Sequence, residues 1–242
     1  MNNFFLGIHY FLSGFRLIAK PGVRRFVIIP VSLNIVFFIG LFLVLRHFAS
    51  ELNGWIFTHL PGFLRWLSII FWLLFFISFF LVLIYFFVMM ANIISAPFNG
   101  LLAEKVEIYL TGQVLVKRSM LETIKDVPRM IGRQLAVLIY SLPRLLLLLI
   151  LFFIPVIQLV AALLWFIFSA WLMAMTYTDY PSDNHRVSFR QLRDWLRQRR
   201  LLALGFGMSV LMVSMIPVLN FFVIPVAVAG ATNLWIFQHK RG

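Results

Sequence analysis

WLSIIFWLLFFISFFLVLIYFFVMMANIISAPFNGLLA, residues 66–103, contains no charged side chain and is bounded by Arg65 and Glu104. A helix rises 1.5 Å per residue, so about 20 apolar residues already cross a ~30 Å hydrocarbon layer. This run is longer than that and far longer than a soluble core helix. It predicts an all-α integral membrane protein with a long transmembrane helix over residues 66–94.

Composition outside the run agrees. Of the 242 residues, 62% are hydrophobic, 17% are aromatic and 12% are charged, about half the charged share of an ordinary soluble domain. Lys and Arg number 21 against eight Asp and Glu. In a soluble protein that excess would point to nucleic acid. Beside apolar spans it reads as a topology signal and a contact with anionic lipid headgroups, so membrane lipids are the expected partner and nucleic acid is not. The chain has no cysteine and its five histidines show no ligand spacing, which leaves no metal site and no cofactor to expect. The N-terminus carries its basic residues after the apolar stretch, the reverse of a secretory signal, and is expected to be retained.

Three further apolar blocks flank the long run. Residues 26–45 suit one transmembrane helix. Between it and the long run, Asn53–Gly54 and Pro61–Gly62 are turn formers. Residues 134–178 and 201–239 are each too long for one crossing and break at a similar phrase, Ile154-Pro155-Val156-Ile157-Gln158 against Ile216-Pro217-Val218-Leu219-Asn220. This pattern reads as a repeated helical hairpin, preceded each time by Arg-Gln, at Arg133–Gln134 and Arg197–Gln198. A tip that reached the far aqueous face would carry several polar anchors, and each phrase offers one amide. The tips are therefore expected to stop within the apolar layer as hemi-penetrating hairpins, with Gln158 and Asn220 capping the freed backbone groups. Six full transmembrane helices remain the alternative.

Lys and Arg concentrate in residues 1–25, 104–133 and 179–200, which places both termini and the middle segment in the cytoplasm. Two stretches read as interfacial amphipathic helices. Ser188 and Gln191 form a capping-box pattern ahead of a face of Phe189, Leu192, Trp195 and Leu196. Phe4, Phe5, Ile8, Phe11, Leu12 and Phe15 form a second apolar stripe, which either meets lipid or packs within the protein.

Two polar clusters stand out. Lys20-Pro21-Gly22-Val23-Arg24-Arg25 lies at the start of the first membrane helix, where free amides, the helix dipole and forked guanidiniums suit a tetrahedral oxyanion. Basic clusters in that place also simply set topology. Farther on, the Asn92–Gly100 segment breaks the long helix, and Glu104 and Glu107 then share a helical face. They are placed to pair with Arg129 or Arg133, themselves four residues apart, either fastening two helices or lining a path. No phosphate-binding loop, no nucleophile elbow, no metalloprotease motif and no catalytic carboxylate pair is present, so no enzyme is expected.

Several phrases together resemble the CysZ sulfate-permease family of bacterial inner membranes, distantly similar to etoposide-induced membrane proteins. They are Gly7, Tyr10, Phe11 and Gly14; the run from Lys20 to Pro30; Ser95 to Glu107; and Tyr177-Thr178-Asp179-Tyr180-Pro181 followed by His185 and Ser188-Phe189. The resemblance implies two long transmembrane helices plus two hemi-penetrating hairpins. It implies a homo-oligomer, a dimer or an assembly of dimers, taking up sulfate for cysteine biosynthesis. The family's Gly-Leu-Arg sulfate motif maps onto Gly22, Val23 and Arg24, with Arg25 adjacent; Val for Leu matters little if that position gives only its amide. The family's polar core maps onto Glu104, with Asn99, Glu107, Arg129 and Arg133 completing a translocation path. A non-transporting structural or regulatory membrane scaffold is the rival reading.

Overall fold

The computed structural model describes residues 3–59, 70, 72–74, 76–77, 79–81, 98–113 and 120–239. Among them the chain is helical: α1 (Asn3–Ile18), α2 (Arg25–His59), α3 (Trp72–Leu81), α4 (98–111), α5 (Met120–Phe152), α6 (Gln158–Asn184), α7 (Phe189–Gln198), α8 (Arg200–Ser214) and α9 (Pro217–His239). The chain divides into two compact units, residues 28–98 and the remainder, Met1–Val27 with Asn99–Gly242.

In the first of these units α2 runs on past residue 45 to His59. The expected turn at Asn53–Gly54 does not form. The Thr58 hydroxyl donates to the Gly54 carbonyl at 2.7 Å, and the Ser50 hydroxyl to that of His47 at 2.8 Å, so the helix carries its polar residues through by back-bonding. The Trp72 and Phe76 rings stack at 5.1 Å on α3. Most of the helix expected over 66–94, and the turn at Pro61–Gly62, lie outside the described residues.

In the other unit α1 packs against α8 and α9. The contact is made by small residues. A Cβ on Gly7 would stand 2.2 Å from the Leu202 carbonyl oxygen, one on Gly14 2.1 Å from that of Val226, and one on Gly205 2.0 Å from that of Phe4. Backbones this close are how helices associate where lipid is as apolar as the side chains. Ser13 Oγ accepts from Asn233 Nδ2 at 2.7 Å, and Gln238 Nε2 donates to Tyr10 Oη at 2.9 Å. The buried face of α1 is thus Gly7, Tyr10, Phe11, Ser13, Gly14 and Leu17, which takes only Phe11 from the large apolar stripe; Phe5 and Leu12 face outward.

α7 keeps its expected start, with both capping-box bonds between Ser188 and Gln191 present. Its apolar face, however, belongs to the protein interior: Leu192 and Leu196 are fully buried in the same core as Phe11, Phe206 and Trp235. Both proline phrases do separate helices, at residues 153–157 and 215–216. Neither amide caps them. Ile157 holds the N-cap position of α6 with no side-chain bond, and Gln158 is already helical. Asn220 lies exposed inside α9, its amide bonded to the Ile216 carbonyl.

Among the described residues, three helical stretches are long and apolar enough to cross a membrane, Gly132–Phe152, Gln158–Asn184 and Leu219–His239. α8, with 15 residues, spans roughly 22 Å, short of the hydrocarbon layer.

Candidate functional site

The basic phrase forms a tight turn leading into α2. Gly22 takes φ +84°, and a Cβ there would meet nothing within 4 Å, so its need for glycine is conformational. The amides of Val23 and Arg24 both donate to the Lys20 carbonyl at 3.1 Å. Val23 therefore does not offer a free amide. Its side chain is buried beside Leu102, Ala103 and Val106 of α4, so this position is a packing anchor as well as part of a turn.

Arg24 and Arg25 are exposed and carry no ion pair among the described residues. The Arg25 guanidinium lies 5.0 Å from the Phe26 ring, with Lys105 Nζ 6.0 Å from the same ring; Lys20 Nζ is 5.9 Å from that of Tyr109. Four cations thus gather around the first turn of α2 and the outer face of α4. Glu104, 3.7 Å from Lys105, offsets part of this charge.

A second polar assembly surrounds the C-terminal end of α6. Arg133 is buried in α5 and spends every donor there. Its Nε donates to Asp179 Oδ1 at 2.7 Å and its Nη2 to Ser182 Oγ at 2.7 Å, while its Nη1 reaches the Val187 carbonyl and stands 3.2 Å from Asp183 Oδ1. Arg129, one turn earlier, grips Asp183 with both terminal nitrogens, Nη2 to Oδ2 at 3.1 Å. On the other flank, Glu107 meets His185 Nε2 at 2.8 and 3.0 Å. Asn99 Nδ2 donates to Tyr180 Oη at 3.3 Å, and Asn184 Nδ2 to the Gly100 carbonyl at 3.1 Å.

Of the residues expected to form a path, Asn99, Glu107, Arg129 and Arg133 therefore all converge on α6, but not on one another. The arginines pair with Asp179 and Asp183, and Glu104 pairs with Lys105. The missed residues are Asp179, Ser182, Asp183 and His185. Asp179 and Asp183 are four apart, the same spacing as Arg129 and Arg133, and matched spacing on two helices was the available signal. It was obscured because α6 continues through Pro181 to Asn184, beyond the apolar block that ends at Thr178. Within this assembly the Thr178 hydroxyl is buried with no hydrogen-bond partner.

Residues 10–225 match the family described as sulfate transporter CysZ/etoposide-induced protein 2.4. The chain is 48% identical over 239 residues to a sulfate transporter CysZ of Pectobacterium atrosepticum, covering 97% of this chain and 86% of that protein. It is 47% identical over 234 residues to one of Salmonella typhimurium, covering 95% and 91%. The chain belongs to the CysZ/etoposide-induced protein family and is a multi-pass membrane protein.

Proposed function

We propose that this chain takes up sulfate across the bacterial inner membrane to supply cysteine biosynthesis. The observation that carries the reading is the near-full-length identity to sulfate transporters, joined to a cluster of cations at the start of α2. Arg24 and Arg25 provide forked donors for a dianion, the Gly22 turn lets backbone approach it, and Lys20 and Lys105 raise the local potential. The α2 dipole adds its positive end. No nucleotide-binding sequence is present, so flux follows the gradient without ATP, and the chain performs no catalysis.

Asp179, Asp183, Arg129 and Arg133 neutralise one another, so this assembly presents no free charge to hold an anion. Its role is to fix α5 and α6 at a set spacing, with Glu107 and His185 tying α4 to the same point. On this reading Asn99, which donates to Tyr180, and Glu104, which pairs with Lys105, are the polar residues of α4 along which an anion leaving Arg24 would pass. The two hairpins insert partway into the bilayer from the cytoplasmic side, and copies of the chain associate so that their inserted tips meet apolar partners.

Uptake of radiolabelled sulfate into liposomes containing only the purified protein tests the reading. The folded Arg24→Ala, Arg25→Ala double variant is expected to bind sulfate at least about tenfold more weakly, the loss of a charge-assisted bond. Liposomes that take up no sulfate would leave the scaffold reading standing.

A further inference from the structure

Arg144 sits in the part of α5, residues 134–152, that otherwise carries no charged side chain. It lies inside the largely exposed apolar stretch Gly132–Phe152, with exposed Ile139, Leu142 and Leu147 around it. No acidic side chain pairs with it among the described residues. Its guanidinium stacks 4.0 Å from the Tyr140 ring and donates to the Tyr140 carbonyl, one turn back. The ring is fixed in turn: Trp171 Nε1 donates to Tyr140 Oη at 3.2 Å, and Phe189 packs edge-on at 6.0 Å.

A second guanidinium approaches the same ring. Arg193 of α7 lies 5.9 Å from the Tyr140 centroid, sharing its charge with the neighbouring Asp194 at 2.9 Å. Arg190 and Arg197, exposed and without ion pairs among the described residues, continue the same face of α7 at spacings of three and four residues. That face lies beside the buried Leu192 and Leu196, so the arginines of α7 flank an apolar side that is already spent on the core.

Depth decides what these cations meet. Arg144 is eight residues before Phe152, about 12 Å along the helix, and half a hydrocarbon layer is ~15 Å. If the tip of this hairpin rests near the midplane, Arg144 reaches the level of the phosphates. If the helix crossed fully, the same residue would face acyl chains within a few ångströms of the bilayer centre, at a cost of about 3 kcal/mol or more. We propose that Arg144, Arg193 and the Tyr140 ring between α5 and α7 form a binding site for the phosphodiester of an anionic phospholipid, with Arg190 and Arg197 extending its basic rim. The site rests on the partly inserted reading of this hairpin and not on sulfate transport. Planar guanidiniums suit phosphate oxygens, and the aromatic ring holds one of them in place before the lipid arrives.

Tetrahedral oxyanion chemistry is shared by lipid phosphate and free sulfate, so the test separates them. Binding of dioctanoyl phosphatidylglycerol to purified protein in neutral detergent is followed by its thermal shift and by intact-complex mass spectrometry, with dioctanoyl phosphatidylcholine and sodium sulfate as the other arms. The wild type is expected to retain phosphatidylglycerol, to ignore phosphatidylcholine, and to keep the lipid when sulfate is added. Arg144→Gln with Arg193→Gln is expected to lower the affinity about tenfold. Arg144→Lys, which keeps the charge and the fold but loses the fork, is expected to fall between. Equal phosphatidylglycerol affinity in the wild type and either variant overturns the proposal, as does displacement of the lipid by sulfate. Wild-type sulfate uptake by the double variant leaves it intact, so its failure is distinct from failure of the transport reading.

Discussion

Between α5 and α6 the chain turns at Pro155 among side chains that face outward, while between α8 and α9 it turns at Pro217 into an arm that is mostly enclosed by other helices. Windows on the first pair of arms are 6% and 22% buried; the window on α9 is 67% buried. Val156, at the first tip, is 95% exposed, whereas Val226, Ala227, Val228 and Ala229 in the second hairpin are wholly enclosed. The break phrases match but the faces do not. What differs is residue size: Leu and Phe crowd α5 and the start of α6, whereas Gly205, Gly207 and Gly230 let α8 and α9 approach other backbones. Where α8 and α9 meet other helices, small residues set the approach of the backbones, as expected for helices that pack in an apolar surrounding.

The largest effect is expected at the base of the first hairpin, where it does touch the core. Arg133→Ala leaves Asp179 buried without its partner and is expected to cost about 3–5 kcal/mol, read as thermal stability in detergent. A loss below ~1 kcal/mol would mean the pair is solvated and does not fasten α5 to α6. In the second hairpin, Gly205→Val drives a side chain into the Phe4 carbonyl and is expected to cost about 1–3 kcal/mol in the same melt. Unchanged stability there would break the comparison. By contrast Leu159→Ala, on an 83% exposed position of the first hairpin, should move stability by no more than about 0.5 kcal/mol.

The comparison is sharpened by labelling, since an introduced thiol would be the sole cysteine. Cysteines at Ile157 and Leu219 are expected to resist an impermeant maleimide added to intact cells and to react after denaturation. Labelling of both from outside would establish six complete crossings.

Hydropathy made the membrane class legible, because an uncharged run such as 66–103 has no other stable home. The two proline breaks and the Ser188–Gln191 capping box were also legible, being local: their partners lie within a few residues. The ion pairs were not. Arg133 finds Asp179 across 46 residues, and nothing in the immediate sequence of either names the other. The packed face of α1 was left open for a different reason. The stripe of large apolar residues left lipid contact and internal packing both open, and the structure divides it, with Phe5 and Leu12 outward and Phe11 buried; the packed face is marked by Gly7 and Gly14, residues that a hydrophobic pattern ignores. Asn53–Gly54 misled in the same local way, since two turn formers within a helix of 35 residues are carried by their neighbours. In the proposed anion site, Gly22, Arg24 and Arg25 stood out by residue type. That Val23 is an anchor could be learned only from the face α4 presents to it.

The hydrogen bond between Ser13 and Asn233 joins residues 220 positions apart, and this sets an order in time. α1 leaves the ribosome long before α9, and at synthesis rates of 5–20 residues per second the delay is roughly 10–45 s. Through that interval the glycine face of α1 has nothing to close against. Its Phe4, Phe5, Ile8 and Leu12 give it the means to rest on the membrane surface until α8 and α9 arrive. The helix that finishes as the centre of the fold therefore begins as a peripheral segment, and the last stretch of the chain to be made is the one that draws it in.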